Sequence, residues 1–357
     1  MNRIRGASLP GSPREPEGFA PHRMRRLLTT VALIAAAVAV AAQGASPPHW
    51  AYGYTMAGPD PAAPPCPPDA KPLDCARLQT PRPDDVRHTL PGSDGSFTEF
   101  QVHYDYGPAD WYPGDHPPMP DIVAHGRQSD KLRACSLCHY PNGHGRMENG
   151  SPAGLPAAYI LQQLEAFRNG TRRSADPRKA NTNEMIQIAR HLTDAEMKAA
   201  AEYFSAIKRR PWARVVESET VPKTRVGVNG LFLPAPGNEV EPLGARIVEM
   251  PEDPVLTDRF RSPRSGWVAY APPGSIARGE VLVTKGGGKT VQCALCHGPD
   301  LQGLANVPGI ADRPASYVIR QLVDMQAGTR ASELMRPVVA KLGEDDLIAI
   351  AAYLASK

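Results

Sequence analysis

Hydrophobic positions recur with helical spacing in two separate stretches of this chain, and the two stretches match. In the first, Ile160, Leu164 and Phe167 follow Pro156 and precede Gly170. This predicts a helix over 156–168 with Pro in its first turn and Gly past its end. The same layout predicts a second helix over 314–326, ended by Gly328. A later helix is predicted from about Asp194, with Ala200, Tyr203, Phe204 and Ile207. Its counterpart starts near Glu344, with Ile348, Ala351, Ala352 and Leu354. Acidic residues suit both starts. Residues 211–272 read differently: Leu231-Phe232-Leu233, Ala245–Glu249 and Gly266–Tyr270 are short apolar runs cut by Pro and Gly, which predict short strands. Residues 46–120 hold 17 prolines and few aliphatics. Such a segment cannot build its own core, so it is expected to wrap the helical units or to dock a partner.

One more apolar run, Leu27–Ala42, follows Met24-Arg25-Arg26 and precedes small residues. It is short for a bilayer span, which needs about 20 residues. It predicts a signal peptide over 1–44, cleaved after Ala42-Gln43-Gly44, with residues 1–23 upstream of a better start at Met24. An uncleaved anchor is the alternative. The expected location is the bacterial periplasm.

The match extends beyond hydrophobicity. At an offset of 158, Pro156, Tyr159, Gln163, Leu164 and Gly170-Thr171-Arg172 face Pro314, Tyr317, Gln321, Leu322 and Gly328-Thr329-Arg330. At an offset of 150, Met185, Leu192, Ala201 and Tyr203 face Met335, Leu342, Ala351 and Tyr353. A longer loop near 173–181 in the first copy accounts for the change. The chain therefore holds an internal repeat.

Charge narrows the function. The 357 residues carry a formal +3. Setting 1–44 aside removes six Arg and two Glu and leaves 34 basic against 35 acidic residues, a net of −1. No basic footprint for nucleic acid remains.

The chemistry lies in the cysteines. Four of the six fall in identical frames, Cys135-Ser136-Leu137-Cys138-His139 and Cys293-Ala294-Leu295-Cys296-His297. The Cys-x-x-Cys-His spacing is that of covalent haem attachment. Two thiols three positions apart share a helical face and each add to one haem vinyl group, and the next residue places its imidazole beneath the iron. A shared zinc site would need both motifs to converge. A redox dithiol would not need His after the second Cys in both copies. Two covalently bound haem c groups are expected, with Cys135, Cys138, Cys293 and Cys296 as thioethers and His139 and His297 as iron ligands. Cys66 and Cys75, with no His beside either, are expected to form a local disulfide.

A six-coordinate iron needs a second axial ligand. Met185 and Met335 hold equivalent positions between the second and last helices, on loops by this reading, and a thioether there favours Fe(II). Met197 and Met325, inside helices, read as core filler. His144 faces Gln302 in the second copy, which excludes a shared ligand role. His125 reads as a packing or propionate-contacting residue. Tyr159, Arg172, Tyr317 and Arg330 recur and are candidate contacts for the haem propionates, with capping and core packing as the alternative.

Cys-x-x-Cys-His, then Tyr and Gln-Leu on a helix, then Gly-x-Arg, a lone Met and an Ala-rich helix with Tyr, resembles class I cytochrome c. Two such modules in tandem are similar to the two-haem periplasmic electron carriers. The resemblance implies a mainly α fold of two tandem three-helix haem modules, with a Pro-rich N-terminal extension and a small β-containing segment between modules. The expected divisions are 1–44, 45–119, 120–208, 209–272 and 273–357. The implied function is one-electron relay between a dehydrogenase and an oxidase or another cytochrome, rather than catalysis. Two alternatives stay open: a cytochrome subunit of a membrane-associated dehydrogenase complex, and a two-haem peroxidase. Membrane association is expected only through a partner or an uncleaved signal. The long extension and long linker depart from compact two-haem carriers and argue against their close haem–haem packing.

Overall fold

The computed structural model describes residues 47–53, 71–72, 84–227 and 230–357. The expected signal peptide and the Cys66–Cys75 disulfide lie outside the described residues. What is described is mainly helical, with short strands.

In the first repeat, α1 (Cys135–His139) carries the attachment motif. It is followed by α2 (Ala157–Arg168), α3 (Ala180–His191) and α4 (Asp194–Ala206). Ile160, Phe167, Leu192, Met197, Ala200 and Phe204 form one buried cluster, so the predicted apolar faces do meet. Pro156 sits one position before α2, as its N-cap. Gly170 ends the helix at φ +78°, which an L side chain resists. Thr193 and Glu196 cap α4 reciprocally, each accepting from the other's backbone N–H.

The second repeat runs α5 (Ser275–Lys285), α6 (Ala294–His297), α7 (Ala315–Gln326), α8 (Met335–Val339) and α9 (Glu344–Ala355). α9 is buried from Asp346 to Ala355. It crosses α5 at Gly279, where a Cβ would run into the Ala349 carbonyl.

Between the repeats the described residues form seven short strands. These are β1 (Ala213–Glu217), β2 (Thr220–Pro222), β3 (Thr224–Val226), β4 (Phe232–Pro234), β5 (Val240–Pro242), β6 (Val248–Pro251) and β7 (Trp267–Ala271). β7 lies between β1, which runs parallel to it, and β6, which runs antiparallel. β2–β5 and β3–β4 form two antiparallel ladders. This β layer positions the second module. Glu249 of β6 accepts from the backbone N–H groups of Ala315 (2.6 Å) and Ser316 (3.0 Å), so a buried carboxylate caps the N-terminus of α7. Glu217 at the end of β1 accepts from Ile276 N (2.7 Å) at the start of α5.

The extension does find a core, but a shared one. Leu90, Val102, Trp111 and Tyr112 pack with Phe260 of the linker, and the Trp111 indole donates to the Phe260 carbonyl at 2.8 Å. Trp50 and Tyr52 are buried in the second module, donating to Glu344 (3.1 Å) and Asp324 (3.0 Å).

Two expectations are corrected. Met185 lies within a 12-residue helix and Met335 opens a short one, so neither is on a loop. The linker does not hold the modules apart. It folds aside as the β layer, and Arg313 donates across the junction to the Ser151 carbonyl at 2.6 Å while Arg209 pairs with Asp312 at 3.0 Å.

Candidate functional site

Each attachment motif forms a single helical turn that ends at its histidine. His139 donates from Nδ1 to the Gly150 carbonyl (2.8 Å), and His297 from Nδ1 to the Pro308 carbonyl (2.7 Å). Gly150 and Pro308 are themselves 158 residues apart, so the repeat extends to this partner. A carbonyl can only accept, which fixes the proton on Nδ1 and leaves the Nε2 lone pair available to a metal. Burial pulls both imidazoles below their usual pKa, which keeps them neutral. The residue after each histidine takes the same left-handed backbone turn, Tyr140 at φ 61° and Gly298 at φ 83°.

Burial pushes the Cys135 thiol up to about 12 and the Cys293 thiol to about 11, and raises Cys138 as well. Reactive dithiols need the opposite shift. Among the described residues, no group of three or more His, Cys, Asp and Glu could hold a metal ion together.

The haem fits the first site on the donor set and the wall. A cavity of about 180 Å³ opens beside Cys135, Cys138 and His139. Leu155, Ile160, Leu164, Phe167, Ile188 and Phe204 supply its apolar wall, and Met185 of α3 also lines it. In the second module Cys293 and Met335 pack against the same buried cluster.

Residues 123–208 match the family described as Cytochrome c. The chain is 35% identical over 235 residues to cytochrome c4 of Pseudomonas aeruginosa, covering 63% of this chain and 84% of that one. The chain belongs to the two-haem class I c-type cytochromes. It is also 26% identical over 242 residues to the thiosulfate dehydrogenase electron acceptor of Stutzerimonas stutzeri, covering 66% and 84% of the two chains. A solved cytochrome c4 from Acidithiobacillus ferrooxidans aligns at 21% identity with a TM-score of 0.41, over 62% of this chain and 98% of that one. This cytochrome therefore carries two covalently bound haem c groups and transfers electrons. No helix of the described residues is long and apolar enough to cross a membrane.

The four recurrent Tyr and Arg residues meet one another across the module junction. Arg172 donates to the Tyr317 hydroxyl (3.1 Å) and to Gln321 (3.0 Å). Arg330 donates to the Tyr159 hydroxyl (2.6 Å) and to Gln163 (3.0 Å). Each arginine thus reaches the other repeat's tyrosine. Tyr159, Arg172 and Tyr317 also line the first cavity. Burial raises the Tyr317 phenol, but the Arg172 and Arg330 guanidiniums outweigh it and hold it below its ordinary pKa.

Met197 and Met325 are core residues, as their helical positions imply. His144 is buried and stacks on Trp212, with ring centroids 5.1 Å apart. His125 ends a short turn, Asp121–Ala124, near Gly107.

The extra residues 173–181 in the first repeat are not a plain loop. Ala175 N donates to Asp324 of the second module at 2.7 Å, and Arg173 N donates to the Thr329 carbonyl at 2.8 Å. Sequence reasoning missed the buried ions around the first motif: Arg133 with Asp105 (2.8 Å) and Glu184 (3.1 Å), and Arg146 with Glu148 (2.5 Å). None of these has an ionic counterpart in the second repeat, so the repeat gave no signal for them.

Proposed function

We propose that this cytochrome relays single electrons in the periplasm, from a dehydrogenase to a terminal oxidase or another cytochrome. Cys135 and Cys138 hold one haem and Cys293 and Cys296 the other. His139 and Met185 ligate the first iron, His297 and Met335 the second. Bound haem supplies a one-electron Fe(III)/Fe(II) couple. The chain fixes each imidazole tautomer, keeps water from the apolar cavity wall and offers a soft thioether that favours the reduced metal.

The observation that carries this reading is the duplicated histidine lock: Nδ1 committed to Gly150 or Pro308, Nε2 left free, and a methionine at the equivalent place in each repeat. A thioether at both places argues against the peroxidase reading, which needs one open iron. The similarity to a thiosulfate dehydrogenase electron acceptor supports a dehydrogenase as donor, and a sulfur-compound dehydrogenase as its first class to try.

Spectroelectrochemical titration under carbon monoxide tests the proposal. The expected result is two one-electron steps and no binding of carbon monoxide to the reduced protein. Binding at one haem, with rapid peroxide turnover, would replace electron relay by peroxidase chemistry.

A further inference from the structure

The two attachment faces are built alike and exposed oppositely. Leu137 is 5% exposed, and its counterpart Leu295 is 64% exposed. Glu184 is 8% exposed, against 85% for Leu334. Arg133 and Arg146 are buried, while their counterparts Val291 and Leu304 are exposed.

The cover over the first face comes from the segments that lie outside the two modules. Asp105 of the extension pairs with Arg133 (2.8 Å) and accepts at its carbonyl from Ala134 N (2.9 Å). From the linker, Asp258 pairs with Arg146 (3.5 Å), and Arg261 donates to the Leu137 carbonyl and lies over the Tyr140 ring at 5.5 Å. Among the described residues the second face has no such lid. Thr290 donates to the Val338 carbonyl (2.7 Å), which ties the 286–292 loop to α8 and sets Val291 and Leu334 on neighbouring segments. Within 285–341, exposed Lys285, Arg336 and Lys341 outnumber exposed Asp300 and Glu333, while Lys289 is paired with buried Asp346 at 2.8 Å.

We infer that this cytochrome exchanges electrons with other proteins through the second module alone, at this apolar, cation-rimmed face. The first haem is reached only through the second. The occupant the face fits is a redox protein whose contact patch is apolar and rimmed with carboxylates. One electron passes per encounter, oxidising one protein by one and reducing the other by one, with no proton required. The inference rests on the electron-relay reading above.

Two probes test it on the full-length holoprotein. Hexacyanochromate(III), a redox-inert paramagnetic trianion, should broaden the haem methyl NMR resonances of the second module and leave those of the first sharp. Met335→His assigns the sets by shifting one of them. Oxidation of the reduced protein by hexacyanoferrate(III) should slow at least about tenfold in Leu295→Glu/Leu334→Glu, both exposed positions that the fold does not depend on. Asp258→Ala/Arg261→Ala should let the chromium probe broaden the first set too. Equal broadening of both sets in the unaltered protein, or no slowing in the Glu variant, would overturn the inference and leave the relay standing. A dimer in sedimentation that Leu334→Glu dissociates would give the face to a second copy and overturn it as well. Fewer than two haem sets would bring down the relay reading and the inference together.

Discussion

Arg172 of the first module donates to the phenol oxygen of Tyr317 in the second at 3.1 Å, and Arg330 returns the contact to Tyr159. The junction is thus held by two copies of one motif that exchange partners. Gln163 and Gln321 each accept from both arginines, so three side chains from each repeat share one network.

Breaking that exchange should cost stability. Arg330 is buried, and removing it takes the charged donor from Tyr159 and one of two from each of Gln163 and Gln321. Arg330→Leu is expected to destabilise the protein by about 1.5–3 kcal/mol in chemical denaturation. Tyr159→Phe, which removes only the hydroxyl, should cost less. An unchanged midpoint for Arg330→Leu would mean that the network does not hold the junction.

The axial methionines should act separately. Met335→His replaces a soft thioether by an imidazole and is expected to lower the potential of one haem while leaving the other in place. Met185→His should do the same for the partner haem. Redox titration of each variant checks this, and a variant that shifts neither step would remove its methionine from the iron.

Acid should unfold this protein through buried histidines. Burial holds His144 down to about 3 and His103 down to about 4, below the usual 6.5. Between those values and 6.5 the unfolded chain binds protons that the folded chain refuses, so stability is full above 6.5 and falls as pH drops. Each group contributes a slope of up to about 1.4 kcal/mol per pH unit in that window. Thermal melts from pH 7 to pH 4 should show the decline, and His144→Gln should flatten it.

Gly279 is set by the close crossing of α5 and α9, where a methyl would meet the Ala349 carbonyl and Tyr353 Cβ. Gly279→Ala is expected to destabilise by about 1–3 kcal/mol despite its better helix propensity. An unchanged or raised denaturation midpoint would show that the crossing has room.

Much of the site was legible because its chemistry is local. Cys135 to His139 are consecutive, and so are Cys293 to His297. The helices that carry Phe167 and Phe204 are periodic, and duplication singled out Met185 and Met335 from eight other methionines. The helix around Met185 was not legible, since Ala180–His191 is polar on average, with Asn181, Asn183, Glu184 and Gln187, and its start carries no side-chain cap. The lid was not legible either. Asp105, Asp258 and Arg261 lie far from the motif in sequence, in segments with no counterpart in the repeat, and only tertiary contact brings them to Arg133, Arg146 and Leu137. The swapped arginines were visible as a recurrence, but a repeat read one copy at a time cannot say that each copy completes the other.

Intact-mass spectrometry of the purified protein, with a thiol assay, tests the central claim most directly. The account predicts a polypeptide heavier by two haems, with Cys135, Cys138, Cys293 and Cys296 all unreactive. A polypeptide at its unmodified mass, with those four thiols free or holding zinc, would contradict it.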